Sequence, residues 1–244
     1  MVGILADYGL QYSGYLLEVG LILLLAWRGQ AKRLTSLCLY LVCLVGAEAS
    51  RSNVLNTYGL ASRQYFYCFY VTDFLLVLAF FLLVCAFFKR ACIQEEKMWR
   101  FARLLLFFVF VLVAGVSSFS LFRNYSQLAG PFIVEFEQNL YFTCLVLNTL
   151  LYILMQQIES ADDELSLLVC GAGIQLAGPA ATMALVYLTP GQHYSKWLLD
   201  HIMPLCTLGM LLTWAYAIGR PPQAGTASAR RKISAVAEAA TSNS

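Results

Sequence analysis

Charge is scarce in this sequence, and recognisable catalytic chemistry is scarcer. Charged residues make up 12% of the 244 positions, about half the usual share of about 25% in a soluble domain. The formal net charge of +2 is too small for a nucleic-acid-binding surface, so no nucleic-acid partner is expected. Histidine occurs only at His193 and His201. Both fall near one end of an apolar segment, so they do not supply a pair on facing helices for haem. Eight cysteines are present at 38, 43, 68, 85, 92, 144, 170 and 206, none of them in a Cys-x-x-Cys pair or beside a metal-spaced histidine. They are expected to behave as small hydrophobes, and no metal or cofactor is expected. No nucleophile–base spacing can be read, which makes an enzyme the least favoured class. Met1–Leu10 carries Asp7 and no Lys or Arg. Without a basic n-region a cleaved signal peptide is not expected, and the first helix is read as its own signal.

What is abundant is apolar sequence in long blocks. Hydrophobic residues reach 60%, against about 45–50% in soluble domains. About 20 apolar residues at 1.5 Å each span a bilayer core of about 30 Å. Seven segments qualify, at 10–27, 34–50, 65–88, 101–121, 137–157, 165–188 and 197–219. The expected fold is an all-α membrane protein, a seven-transmembrane-helix bundle over residues 1–220, with the lipid bilayer as its main partner. The second segment is the shortest, and the fifth opens in polar residues. Residues 221–244 shift to Ala, Ser, Thr and Gly. That stretch buries too little apolar area to offset its ordering entropy, so it is read as a disordered cytoplasmic tail.

Basic residues set the orientation. Arg28, Lys32, Arg33, Lys89, Arg90, Lys97, Arg100, Arg103, Arg220, Arg230, Arg231 and Lys232 fall on one side, which makes twelve of the sixteen. Arg51, Arg63, Arg123 and Lys196 fall on the other. By the positive-inside rule the N-terminus is outside and the C-terminus cytoplasmic. The fifth-to-sixth loop, with Glu159, Asp162, Asp163 and Glu164, carries no base, but acids weigh little in that rule. Tyr65, Phe66, Tyr67, Phe69 and Tyr70 crowd the outer end of the third segment, and Trp27, Trp99 and Trp197 mark other interfaces. No internal repeat relates the first three segments to the last three.

Polar residues inside the apolar blocks are the candidate site. Glu18 lies nine residues, or about 13 Å, from the inner end of its segment. Asn148, Gln175 and Thr207 fall at similar depth in the fifth, sixth and seventh segments. A charge there costs at least about 2.5–3.5 kcal/mol and faces the bundle interior or a cavity. The four are read either as a buried ligand or proton site or as an interhelical hydrogen-bond layer. A second set belongs to the outer half. Asp73 lies eight residues inside the third segment, Glu48 ends the second, Glu135 and Asn139 open the fifth, and Asp200 and His201 open the seventh. These could line an outward vestibule with Arg51, Arg63 or Arg123 as counter-charges, or sit as ordinary headgroup-level residues. Asp73 alone is too deep for the second description.

The seventh segment has no interior lysine, since Lys196 stands at its mouth. A retinal Schiff base of the microbial-rhodopsin kind is therefore not expected, despite the seven-helix count. The sixth segment holds Gly171, Gly173, Ala177, Gly178, Pro179, Ala180 and Ala181, small residues that allow close backbone approach. It is read as a central packing helix bent at Pro179. Asn124-Tyr125-Ser126 matches a glycosylation sequon on the outer side.

Leu17-Glu18-Val19, Arg28-Gly29, Asp73-Phe74-Leu75 and the run Glu137-Gln138-Asn139-Leu140-Tyr141-Phe142 resemble a group of uncharacterised bacterial seven-helix integral membrane proteins. The likeness covers residues 15–220. It implies a bacterial inner-membrane location and no particular activity. The residues themselves favour a non-enzymatic sensor or binding protein with a buried polar layer, acting through a membrane partner or a second copy of itself. A small-solute or proton-coupled transporter and a structural subunit of a membrane complex remain alternatives.

Overall fold

The computed structural model describes the backbone of residues 2–92, 96–123, 130–157, 162–188 and 193–220. Side chains are described from Tyr12 onward, except those of 93–96, 117–135, 137, 158–161, 179, 182–201 and 203. The 221–244 tail and the 124–126 sequon lie outside the described residues. Seven α-helices form: α1 (Val2–Trp27), α2 (Thr35–Tyr58), α3 (Arg63–Ala91), α4 (Glu96–Arg123), α5 (Gly130–Gln157), α6 (Asp163–Leu188) and α7 (His193–Gly219). Among the described residues there is no strand. Four stretches are long and apolar enough to cross a membrane: Thr35–Tyr58, Arg63–Ala91, Lys97–Val116 and Gln138–Gln157. The described apolar parts of α1 and α7, Tyr12–Trp27 and Pro204–Gly219, are shorter. The chain is thus a helical membrane protein.

The helices overrun the apolar segments, most of all α2, which continues from 50 to Tyr58. Local capping fixes that end rather than hydrophobicity. Gly59 takes φ 77° with ψ 166° and its N–H bonds the Leu55 carbonyl, a positive-φ stop that glycine adopts without a Cβ penalty. Ser62, in extended conformation, accepts the Tyr65 N–H at 3.1 Å and so caps α3. Glu48 is therefore ten residues inside α2 rather than at its end. Arg51, expected in the outer loop, is an internal residue of the same helix.

Helices α1, α2, α3, α5, α6 and α7 form a ring in that order, α7 closing back on α1. The α6–α7 pair is the most extensive, followed by α2–α3. The helix with most neighbours is α3, which touches α2, α4, α5 and α6. Helix α6, with its small residues, touches α3, α5 and α7 and makes its broadest contact with α7. Aromatic rings on α3 make three of that helix's contacts. Phe80 meets Tyr40 of α2 edge-on at 5.2 Å, Phe81 meets Phe110 of α4 at 5.4 Å, and Phe74 meets Phe136 of α5 at 5.3 Å. Such pairs add about 0.5–1.5 kcal/mol each beyond their buried area. Packing of α4 is limited to α3 and α5, and it leaves Phe101, Leu104, Phe107 and Phe108 more than 60% exposed. In a bilayer that face meets acyl chains, so its exposure is ordinary.

Glycine on α6 sets the α6–α7 spacing. A Cβ at Gly171 would stand 2.7 Å from Trp214 Nε1 and 3.3 Å from the Met210 carbonyl oxygen. Trp214 is fully buried there, donates its indole N–H to the Leu168 carbonyl at 2.9 Å, and meets Tyr40 edge-on at 5.8 Å. The backbone of α6 stays helical through position 179.

Ionic contacts gather at one end of the bundle. Arg90, near the end of α3, donates two bonds to Asp162, at 2.9 and 3.0 Å, and one to Glu164 at 3.2 Å. Glu164 also pairs with Arg33, which precedes α2. Asp162 in turn accepts the Leu165 N–H at 3.1 Å, capping α6. Arg28 donates to the carbonyls of Ile218 at 2.7 Å and Gly219 at 2.9 Å. It thereby satisfies the last turn of α7 and places positive charge at its negative dipole end. Asp162 and Glu164 at the start of α6 are thus paired with Arg90 of α3 and Arg33 of the α1–α2 connection.

Candidate functional site

Glu18, Leu21 and Leu25 recur at helical spacing along the buried face of α1. Glu18 is 4% exposed, and its Oε2 has no hydrogen-bond partner among the described residues. Across from it, Leu37, Tyr40, Leu41, Leu44 and Ala47 form the buried stripe of α2. The same stripe runs outward into Glu48 and Arg51. Tyr15, three residues before Glu18, donates its hydroxyl to Glu48 Oε2 at 3.0 Å and so ties α1 to α2. Glu48 and Tyr40 both lie within electrostatic reach of Glu18. Tyr40 in turn packs against Trp214, which links the acid to the α6–α7 seam.

Arg51 faces α3 instead. Its Nε donates to Thr72 Oγ1 at 2.7 Å, its Nη2 pairs with Asp73, and its guanidinium lies 4.4 Å from the centre of the Phe69 ring. Both partners of the pair are about a fifth exposed, at 18% and 23% of their side-chain surface. The one described base near these acids is therefore committed to Asp73. Glu18 and Glu48 have no cation of their own among the described residues. Between Ile202 and Gly219, α7 brings no charged residue to the neighbourhood of α1.

The other polar groups form a separate cluster. Asn148, 5% exposed, donates Nδ2 to the Val169 carbonyl of α6 at 3.2 Å, leaving its Oδ1 without a partner among the described residues. Tyr141 donates to the Gln175 carbonyl at 2.5 Å, and the Gln175 side-chain oxygen is likewise unpartnered among those residues. Helix α1, which carries Glu18, touches α2 and α7 but, among the described residues, neither α5 nor α6. Equal depth along a helix leaves the direction around its axis undetermined. Thr207 is half-buried on α7. In the outer half, Glu48 and Asp73 come from adjacent helices, α2 and α3. Asn139 is half-buried on α5, where its carbonyl accepts from Thr143 at 2.7 Å. The side chains of Glu135, Asp200 and His201 lie outside the described residues.

Sequence reasoning missed Tyr15, Tyr40 and Thr72. Tyr15 could have been found by helical spacing, one turn before Glu18 on the same face. Tyr40 needed the ring contact it makes with Trp214 across the bundle. The chemistry on offer is a pair of carboxylates with phenols beside them, an acceptor-rich and net-negative surrounding. No group of three or more His, Cys, Asp or Glu side chains that could hold a metal ion occurs among the described residues. The chain matches no family model, no curated protein and no solved structure, so the character of the site rests on its own geometry.

Proposed function

We propose that the chain is a seven-span membrane protein, N-terminus outside and C-terminus cytoplasmic, that binds a small solute reaching Glu18 from the outer side. The observation that carries this reading is the almost completely buried Glu18, with Oε2 unpartnered among the described residues and the Glu48 carboxylate tied by Tyr15 to the same helix one turn away. A structural carboxyl would be expected to have both oxygens bonded, since a buried unpaired acceptor costs about 1–3 kcal/mol. Support for the orientation comes from the twelve-to-four split of basic residues. The inner-end contacts agree with it. Arg28, Arg33, Arg90 and Asp162 bring together chain connections that seven alternating spans put on one face. A bacterial inner membrane is the location that the family resemblance implies.

Sensing or binding is preferred to transport, because the inner half is closed. Leu21, Leu25, Leu37, Leu41, Trp214 and Ile218 are all buried below Glu18, and ionic contacts tie the connections beneath them. Output would pass to a membrane partner or a second copy. A reporter joined after Ser244 is expected to read as cytoplasmic and one at the N-terminus as external. Both ends on one side would remove a span and with it this topology.

The site itself is tested by infrared difference spectroscopy on reconstituted vesicles during a change of external pH. A carboxyl band present in wild type and absent in Glu18→Gln is expected. A silent carboxyl region in wild type would mean that Glu18 is cut off from the outer solution, and the binding reading would fail.

A further inference from the structure

Resting on that reading, we infer that the solute is a monovalent cation, an alkali-metal ion or a protonated amine, held between the Glu18 and Glu48 carboxylates. Four observations lead there. Glu18 and Glu48 stand on facing stretches of α1 and α2, tied one turn above Glu18 by the Tyr15 hydroxyl bond of 3.0 Å. Glu18 is 96% removed from solvent (4% exposed), yet Oε2 is unpartnered among the described residues. No described base serves the pair: Arg51 bonds Thr72 and Asp73 and covers Phe69, while α7 is uncharged from Ile202 to Gly219. The available groups are acceptors and phenols, which suit a cation and repel an anion.

The charge of the ligand follows from the donor set. A calcium ion takes about 6–8 oxygens, several from carboxylates, and transition metals favour imidazole or thiolate. Two carboxylates with no third acid, histidine or cysteine in the group among the described residues meet neither requirement. A single positive charge needs less. One carboxylate can neutralise it while the second supplies hydrogen-bond or ion–dipole contacts beside the Tyr15 hydroxyl. A proton shared between the two acids would compete for the same place, so cation affinity is expected to fall as pH falls.

Equilibrium binding of radiolabelled Na⁺ and of labelled methylammonium to detergent-purified full-length protein at pH 8 tests the inference, the two labels distinguishing the metal from the amine. Saturable binding of either one is expected, weakened by about tenfold or more in both Glu18→Gln and Glu48→Gln. Thermal melting of each variant confirms folding, and Asn148→Leu, in the separate α5–α6 cluster, is expected to bind as wild type does. Saturable binding unchanged in both glutamine variants would overturn the inference. So would a wild type that binds neither cation while its Glu18 carboxyl band still follows external pH. In that last case the outward-facing site stands and only the ligand class falls, whereas a silent band removes both.

Discussion

Trp214→Ala is expected to lower the stability of the purified protein more than any other single truncation in the bundle. The indole is fully buried and bonds the Leu168 carbonyl at 2.9 Å. It also stands between Tyr40 on one side and Gly171 on the other. In water-soluble cores a Trp→Ala change costs about 3–5 kcal/mol. Here the lower end applies, because a side chain leaving a membrane protein interior meets lipid rather than water, and the loss is chiefly packing. The contact with Gly171 supplies a sharper test. Gly171→Ala in the wild-type background sets a methyl 2.7 Å from Nε1 and 2.8 Å from Cδ1, so it should destabilise. In the Trp214→Ala background the same methyl fills part of the vacated space and should stabilise. Thermal unfolding followed by circular dichroism reads all four proteins. Additive effects of the two changes would show that the close approach does not govern α6–α7 packing.

The seam that this experiment probes was only partly legible in the sequence. Gly171, Gly173 and Gly178 advertise close approach, but they do not name the partner, and α6 taken alone suggested a hub. The helix that touches most others is α3, because Phe74, Phe80 and Phe81 point in three directions. A run of phenylalanines has no amphipathic stripe from which those directions could be read. The end of α2 is legible in its capping residues rather than in its hydropathy. Apolar content stops near residue 50, whereas Gly59 and Ser62 carry the stop and start signals of the two helices. Reading caps before hydropathy would have put Glu48 and Arg51 inside α2 and shown Arg51 within reach of α3. Depth for Glu18 follows from residue count and helix rise alone. Azimuth does not, which is why depth groups Asn148 and Gln175 with an acid whose helix, among the described residues, theirs do not touch. The ion network around Arg90 required loops distant in sequence to meet. Only the excess of bases on one side, facing an acidic connection, hinted at it.

Asp73→Ala should cost nearly as much as the tryptophan change, for an electrostatic reason. It leaves the Arg51 guanidinium, with 18% of its side-chain surface exposed, without its anion between α2 and α3. Breaking a buried ion pair from one side costs about 3–5 kcal/mol. Partial exposure of both partners and the remaining bond to Thr72 at 2.7 Å should bring the loss to the bottom of that range or below it. Removing both charges is a different matter. Arg51→Met with Asp73→Leu leaves no orphaned ion and fills the same space with apolar groups, which for buried pairs is often neutral or stabilising. The expected pattern in thermal unfolding is therefore two costly single variants and a double variant close to wild type. The coupling should be at the upper end of the ~0.5–3 kcal/mol seen for contacting residues. The same variants separate structure from binding. If Arg51 serves only to hold α2 against α3 through Asp73, the double variant keeps cation binding at Glu18 and Glu48. If the Arg51 charge instead offsets those acids across the one turn from Glu48, its removal should tighten cation binding while stability stays the same. A double variant as unstable as the sum of its singles would show that Arg51 and Asp73 act independently, and that the α2–α3 contact depends on Thr72 and Phe69 instead.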